Sequence, residues 1–204
     1  MKLIFATNNK HKIEEIRAAL GKDFQILTLQ EAGIDIDIPE PHDTLEANAS
    51  EKSWTIYRLT GIHCFGEDTG LEVPALGGEP GVKSARYAGD ERSFDKNIDK
   101  LLSNLAGKPD HSAQFRSVIS LVLGGKETLF EGVCKGRIIP ERRGTAGFGY
   151  DPVFIPEGAS KTFAEMDMEE KNSYSHRSRA ARKLVTYLSQ MEANLDSNKS
   201  KPGI

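Results

Sequence analysis

Two adjacent carboxylates, Glu67 and Asp68, close an apolar run from Ile62 to Gly66. Such a pair at a strand terminus repels itself unless water or a cation relieves it. With oxygen donors alone the fitting cation is magnesium, which keeps several waters and bridges to substrate phosphates; the plainer account is an acidic surface turn. Nearer the N-terminus, Lys10, His11 and Lys12 crowd the first turn of a helix, where the macrodipole disfavours cations. A helix start with spare N–H groups and two lysines makes a phosphate cradle, and the alternative is a pair of solvated lysines. Further on, Gly147-Phe148-Gly149-Tyr150-Asp151-Pro152 sets small residues around aromatics. Backbone can then approach a flat ligand, and Phe148 or Tyr150 can stack on a base, unless the segment is only a packed loop. Lys171 and Ser175-His176-Arg177 again put cations where a helix begins, as a second anion or base-edge site or as a solvated basic turn.

The elements that must hold these residues follow from periodicity. Lys2 to Thr7 reads as a buried strand, with a turn at Asn8 and Asn9. A helix with Ile13, Ile16 and Leu20 on one face follows and ends at Gly21; Phe24 to Leu27 is the next strand. This strand-helix-strand opening predicts an α/β fold. After a loop through Pro39 and Pro41, a long helix carries Leu45, Ala49, Ile56 and Leu59 inward, with Asp43 and Glu46 at capping-box spacing. Ile62 to Gly66 is a strand that gives way to the acidic turn. Gly77 to Gly81 is rich in glycine and proline, and Phe94 to Leu105 is helical by its leucine and isoleucine spacing. Ala113 to Leu123 and Glu127 to Ile138 are long strands joined tightly at Gly124-Gly125. Arg142 to Pro156 is loop-like, Ser175 to Met191 is a final helix, and the polar tail after Glu192 (193–204) is expected to lack order. The long hairpin extends the sheet towards a second lobe, and a cleft between lobes is the usual place for a ligand.

Composition narrows the classes. The chain has 204 residues, 38% hydrophobic and 28% charged, which suits one large domain or two small lobes with a real core. A net charge of −3 counts against wrapping a long polyanion but leaves room for a small triphosphate met by local cations. Cys64 and Cys134 sit in apolar contexts without metal spacing, so they read as buried free thiols in a reducing compartment. The opening MKLIFATNN is too short for a signal core, and no apolar run reaches a membrane span. A cytoplasmic protein without nucleic-acid or membrane partners is expected. Neither a P-loop nor a dinucleotide fingerprint is present.

Taken in order, the motifs resemble the inosine triphosphate pyrophosphatase family, also described as XTP/dITP diphosphatases. The resemblance is carried by Thr7-Asn8-Asn9-Lys10-His11-Lys12, by Glu67-Asp68-Thr69-Gly70-Leu71, and by Leu76-Gly77-Gly78 leading to Pro80-Gly81. It continues through Ser84-Ala85-Arg86-Tyr87, Gly147 to Pro152, Lys171-Asn172 and Ser175-His176-Arg177, and covers Lys2 to about Gln190. It implies one elongated, two-lobed α/β domain over residues 1–192, a mixed sheet with flanking helices and a central cleft, a homodimer, and magnesium as cofactor. The family's phosphate loop falls on Thr7, Asn8, Asn9, Lys10, His11 and Lys12. Its metal carboxylates fall on Glu40 and Asp68, with Asp68 also the base and Glu67 a possible second ligand. Its base-recognition residues fall on Thr69, Phe148, Gly149, Tyr150, Asp151, Lys171, His176 and Arg177. Asn8 stands where the family often has Gly, Glu67 where it often has Asp, and Thr69 where it often has Ser; Asn tolerates left-handed backbone if that turn demands it.

The reaction so implied is hydrolysis of ITP, dITP or XTP to monophosphate and pyrophosphate, clearing nonstandard purines from the nucleotide pool. Asp68 would deprotonate a metal-activated water that attacks the α-phosphorus, and donors aimed at purine O6 would reject adenine. Rejection of guanine needs a separate device against the 2-amino group. Two other classes use parts of the same pattern. A nuclease could use the carboxylates but would call for a basic surface, and a silent nucleotide-binding module would need no carboxylate pair. Lys12→Ala is expected to weaken triphosphate handling with little effect on folding, and Asp68→Asn to relieve repulsion with Glu67.

Overall fold

The computed structural model describes residues 1–20 and 24–199. It opens with β1 (Lys2–Phe5), α1 (Lys10–Leu20) and β2 (Gln25–Leu27), and β1 and β2 pair in parallel. The expected end of α1 at Gly21 lies outside the described residues. There follow α2 (Leu45–Thr60), β3 (Cys64–Glu72), β4 (Pro80–Gly81) and α3 (Phe94–Leu105). The chain closes with β5 (Ser112–Leu123), β6 (Lys126–Ile138), β7 (Phe154–Pro156), α4 (Met168–Tyr174) and α5 (His176–Lys199). One mixed sheet runs β2-β1-β3-β5-β6-β7, with β4 added on β3. The predicted mixed α/β class is what is seen. The β5–β6 turn is the expected Gly124-Gly125, both at positive φ (58° and 78°), as a tight two-residue hairpin requires.

The long strands carry two cores. Ile119 and Leu121 of β5 pack with Phe5, Ile16, Phe65 and Leu184, whereas Ala113 and Phe115 at the other end pack with Leu71, Ile98, Phe154 and Phe163. The cleft described below is lined by Leu71 and Phe115 of the second core and by Ala6 and Leu29, which pack with Ile4 and Ile56. β3 carries Phe65 in the first core and Leu71 in the second.

Several expectations are corrected. The carboxylate pair is not in a turn: β3 continues to Glu72, and Glu67 and Asp68 pair with Ile119 and Val118 of β5. The strand survives because alternation sends the two side chains to opposite faces, each to its own cations. The cap of α2 is Thr44, not Asp43; its Oγ1 accepts from the Ala47 amide at 3.2 Å. Leu59 is exposed, since the inward stripe of α2 runs Leu45, Asn48, Ala49, Lys52, Ser53 and Ile56. The stretch expected to be a loop at Arg142–Pro156 ends in β7. Lys171 lies inside α4, a short helix that the sequence reading missed. Its cap is Asp167, which accepts from the Glu170 amide at 2.8 Å. α5 runs on to Lys199, so the polar sequence after Glu192 is helical that far, and 200–204 lie outside the described residues.

Gly66 sets the contact between β3 and α2. A Cβ there would stand 2.4 Å from the Ala49 carbonyl oxygen and 2.7 Å from Lys52 Cβ. Because the nearest atom is helix backbone, it cannot swing aside. Gly66→Ala is therefore expected to cost about 1–3 kcal/mol, the usual penalty of overpacking, measured as a lower denaturation midpoint at unchanged slope. An unchanged midpoint would mean that α2 rides higher on the sheet than described.

Candidate active site

α1 starts where Asn9 caps it: the Asn9 side chain accepts from the Lys12 amide at 3.2 Å, and the Thr7 hydroxyl accepts from the Asn9 amide at 3.2 Å. Asn8 ties its side-chain amide to the Ile36 carbonyl at 3.0 Å. Its left-handed tolerance is not called on, because among the described residues Arg92 is the one non-glycine with positive φ. Thr7, Asn8, Asn9 and Lys12 line one end of a cleft of about 380 Å³, inside the roughly 300–1,000 Å³ usual for ligand pockets. Lys10 and His11 do not line it; Lys10 is exposed, and the His11 ring stacks on Phe148 with centroids 5.0 Å apart. The cation of the first helical turn is compensated after all, since Lys12 Nζ lies 2.6 Å from Glu67 Oε2.

Asp68 faces the cleft, and its partners come from α2. Lys52 Nζ donates to Asp68 Oδ1 at 2.9 Å and to the Glu67 carbonyl at 3.0 Å, and it lies 2.5 Å from Glu40 Oε1. Asn48 Nδ2 donates to Asp68 Oδ2 at 3.3 Å, and Arg86 Nη2 lies 3.4 Å from Glu40 Oε2. Burial pushes the Asp68 carboxyl up despite Lys52 and Lys12, leaving it the more proton-hungry of the two neighbouring carboxylates. Burial also opposes the charge on Lys52, but Asp68 and Glu40 outweigh it and keep the ammonium protonated.

Glu67 points the other way and does not line the cleft. It is held by Lys12, by Arg177 Nε at 3.1 Å, by the Ser117 hydroxyl at 2.6 Å, and by Thr69. Burial alone would raise its pKa, but Arg177 and Lys12 hold it well below the carboxylate range. With its oxygens committed on the far face of β3, it is not a ligand beside Asp68. Glu40 and Asp68 do share the cleft. Among the described residues no group of three or more His, Cys, Asp or Glu side chains could hold a metal. Two carboxylates match the number magnesium uses when substrate phosphates complete its shell, so the donors fit that ion.

The other end of the cleft is built from the Phe148 loop and the start of α5. Asp151 accepts from the Phe148 amide at 2.9 Å and from Lys171 Nζ at 2.5 Å, and Lys171 also reaches Glu15 Oε1 at 2.7 Å. Arg177 bonds Glu15 and donates to the Thr69 hydroxyl at 3.2 Å. Gly147 is required here: its φ is +73°, and a Cβ would sit 2.0 Å from Asp151 Oδ2. His176 is buried and stacks on Phe115 at 4.7 Å. Burial, with Arg177 beside it, keeps the imidazole neutral. Lys171 Nζ and the Arg177 guanidinium lie 5.4 and 5.6 Å from the Phe148 ring centre. Phe148, Gly149, Tyr150, Asp151, Lys171, His176, Arg177 and Thr69 all line the same cleft as Asp68 and Lys12.

Of the residues proposed from sequence, the fold thus gathers all but Lys10, His11 and Glu67 around one cavity. Glu15, Asn48 and Lys52 were not anticipated, and Arg86 stood in the Ser84–Tyr87 motif without a role assigned to it. For Lys52 a signal existed: it falls on the apolar stripe of α2, seven residues after Leu45 and four before Ile56, where a charge has no packing reason to be.

Residues 3–187 match the model of the Ham1 family. A dITP/XTP pyrophosphatase of Christiangramia forsetii is 47% identical, over 93% of this chain and 100% of that protein. One from Flavobacterium johnsoniae is 49% identical, over 92% and 98%. The solved Ham1 protein of Staphylococcus aureus superposes with a TM-score of 0.85 at 36% identity, covering 94% of this chain and 100% of that one.

Proposed function

The chain belongs to the Ham1 family, and from that footing we propose that it hydrolyses dITP and XTP, the substrates in the names of its relatives, and likewise ITP, to the monophosphate and pyrophosphate. The observation that carries the proposal is a single cleft with two chemically distinct ends. One end offers Lys12, a capped helix start and Asp68; the other offers Phe148, Asp151, Lys171 and the start of α5. A triphosphate on a flat base needs both.

In this reading the phosphates lie beside the start of α1, where Lys12 and the positive end of the helix dipole meet their charge. Thr7 and Asn9 hold that turn in shape. Asp68, raised by burial and oriented by Asn48 and Lys52, takes the proton of the attacking water as it adds to the α-phosphorus. Glu40 and Asp68 would hold magnesium, which when bound lowers the pKa of water and neutralises phosphate charge. Lys12 and the positive end of α1 then stabilise the departing pyrophosphate. At the base end Phe148 supplies a stacking surface. The amides of His176 and Arg177 have no acceptor among the described residues and are available to a purine O6. Glu15 and Glu67 hold Lys171 and Arg177 in position from behind.

We further propose a homodimer in the cytoplasm. Two unpaired buried thiols, with Cys64 pushed up to about 12 by burial, suit a reducing compartment. No described helix is long and apolar enough to cross a membrane. Pyrophosphate release from a panel of triphosphates, with and without magnesium, tests the activity; equal release from every nucleotide, or none from dITP, would refute it.

The geometry changes one expectation. Lys12 is the cation on a fully buried carboxylate oxygen, so it bears on folding as well as on phosphate binding. Lys12→Ala is expected to raise KM for dITP and also to lower stability, by less than the roughly 3–5 kcal/mol of a wholly orphaned buried charge, because Arg177 stays on Glu67. Steady-state kinetics beside a denaturant titration separates the two effects; a variant as stable as the wild type would show that Glu67 does not need this partner.

A further inference from the structure

We propose that Lys52 is the resident cation of the Glu40–Asp68 pair, and that it yields this position to a divalent metal only when a triphosphate enters the cleft. The inference rests on the reading above, in which those carboxylates take the metal, and adds how loading is controlled. The Lys52 ammonium touches both carboxylates at once, 2.5 Å from Glu40 and 2.9 Å from Asp68, which is where a shared cation would sit. Its side chain is buried, and its Cβ lies close against Gly66, so the stem is guided along β3 and the ammonium arrives at one place.

A divalent ion on the same two oxygens would face a positive charge within a few ångströms, in a site shielded from water. Metal alone therefore competes poorly. An incoming triphosphate changes the balance, because it brings oxygens for the metal and a new acceptor for the displaced ammonium. The free protein gains a compensated carboxylate pair, and the metal is retained only beside the nucleotide on which it acts. In this scheme Lys52 is a positioning residue, acting through Glu40, Asp68 and the ion they hold.

Manganese serves as the probe, with free ion followed by electron paramagnetic resonance and no nucleotide present. The wild type should bind it weakly, and Lys52→Gln should bind it about tenfold tighter or more, the scale on which one neighbouring charge shifts a carboxylate's proton affinity. Equal affinity in the two proteins, weak or tight, would overturn the proposal. Should Lys52→Gln fail to fold, Lys52→Arg keeps the charge with a stronger grip on carboxylates. It should then need several-fold more manganese than the wild type for the thermal upshift seen with a non-hydrolysable dITP analogue; an unchanged requirement overturns the proposal equally. Pyrophosphate release by the wild type without any divalent ion would remove the metal reading itself, and that failure shows in the turnover assay, not in the manganese titration.

Discussion

Asp68→Asn should leave a folded protein with almost no turnover. Burial raises the proton affinity of Asp68 while an ammonium and an amide fix its orientation. It shares Lys52 with Glu40, whereas Asp151, also raised by burial, is tied to Lys171 and the Phe148 amide. Asn keeps the shape but cannot accept a proton, and loss of a general base costs about 10²–10⁴-fold; weaker metal holding adds to that. The stability side has a different cause from the one read in the sequence. Relief of repulsion with Glu67 is not the reason, because the two side chains leave β3 on opposite faces. What matters is that burial raises the folded-state pKa of Asp68 above its unfolded value. The stabilising contribution of such a group is present below the unfolded pKa and is lost as pH rises through the folded one. At neutral pH the wild type has lost it, whereas a neutral Asn never carries the buried charge. In chelator, Asp68→Asn should thus match or exceed the wild type in Tm at pH 7, and the difference should shrink as the pH falls into the carboxylate range. Retention of most activity at saturating magnesium would refute the catalytic role.

How much of this was legible beforehand depended on the range of the interaction. Local signals served well: the Gly-Gly turn, the α1 stripe and the ordered motifs each depend on near neighbours. The acidic pair was misplaced as a turn because two adjacent charges look unfit for a strand; what makes them fit lies far away in sequence, on α1, α2 and α5. Glu15 was missed for the same reason. It sits one turn after Lys12 on a helix that otherwise reads as amphipathic, and its partners Lys171 and Arg177 are more than 150 residues distant. Lys52 could have been found, had the charge on the inward stripe of α2 been asked to justify itself. Lys12, expected to matter more than a partly solvated Lys10, is the one that packing brings to the sheet, on Glu67, while Lys10 is exposed.

Substrate choice should be the other large effect: dITP, ITP and XTP turned over with kcat/KM on the order of 10⁴-fold above ATP. A 6-oxopurine presents an acceptor at O6, whereas adenine presents an amino donor there. The base end of the cleft is rich in donors, namely Lys171, Arg177 and the amides that open α5. Of the carboxylates there, Asp151 Oδ2 is taken by Lys171 and the Phe148 amide, and Glu15 behind the cleft is held by Lys171 and Arg177. Adenine would therefore set donor against donor in a site whose side chains are nearly all buried, and no committed acceptor can turn to meet it without breaking an ion pair. A hydrogen-bonding site rejects the mismatched analogue by about 10⁴–10⁵ because its own buried groups are left unpaired. Stacking on Phe148 gives no such choice, as every base has a face to offer. Discrimination should accordingly fall when the α5 end is loosened. Glu15→Gln weakens the hold on Lys171 and Arg177 without touching Asp68, and it should narrow the dITP-to-ATP ratio more than it lowers turnover of dITP. Wild-type protein that hydrolyses ATP as fast as dITP would overturn the donor account of the base site, and an unchanged ratio in Glu15→Gln would show that Lys171 and Arg177 take no part in the choice.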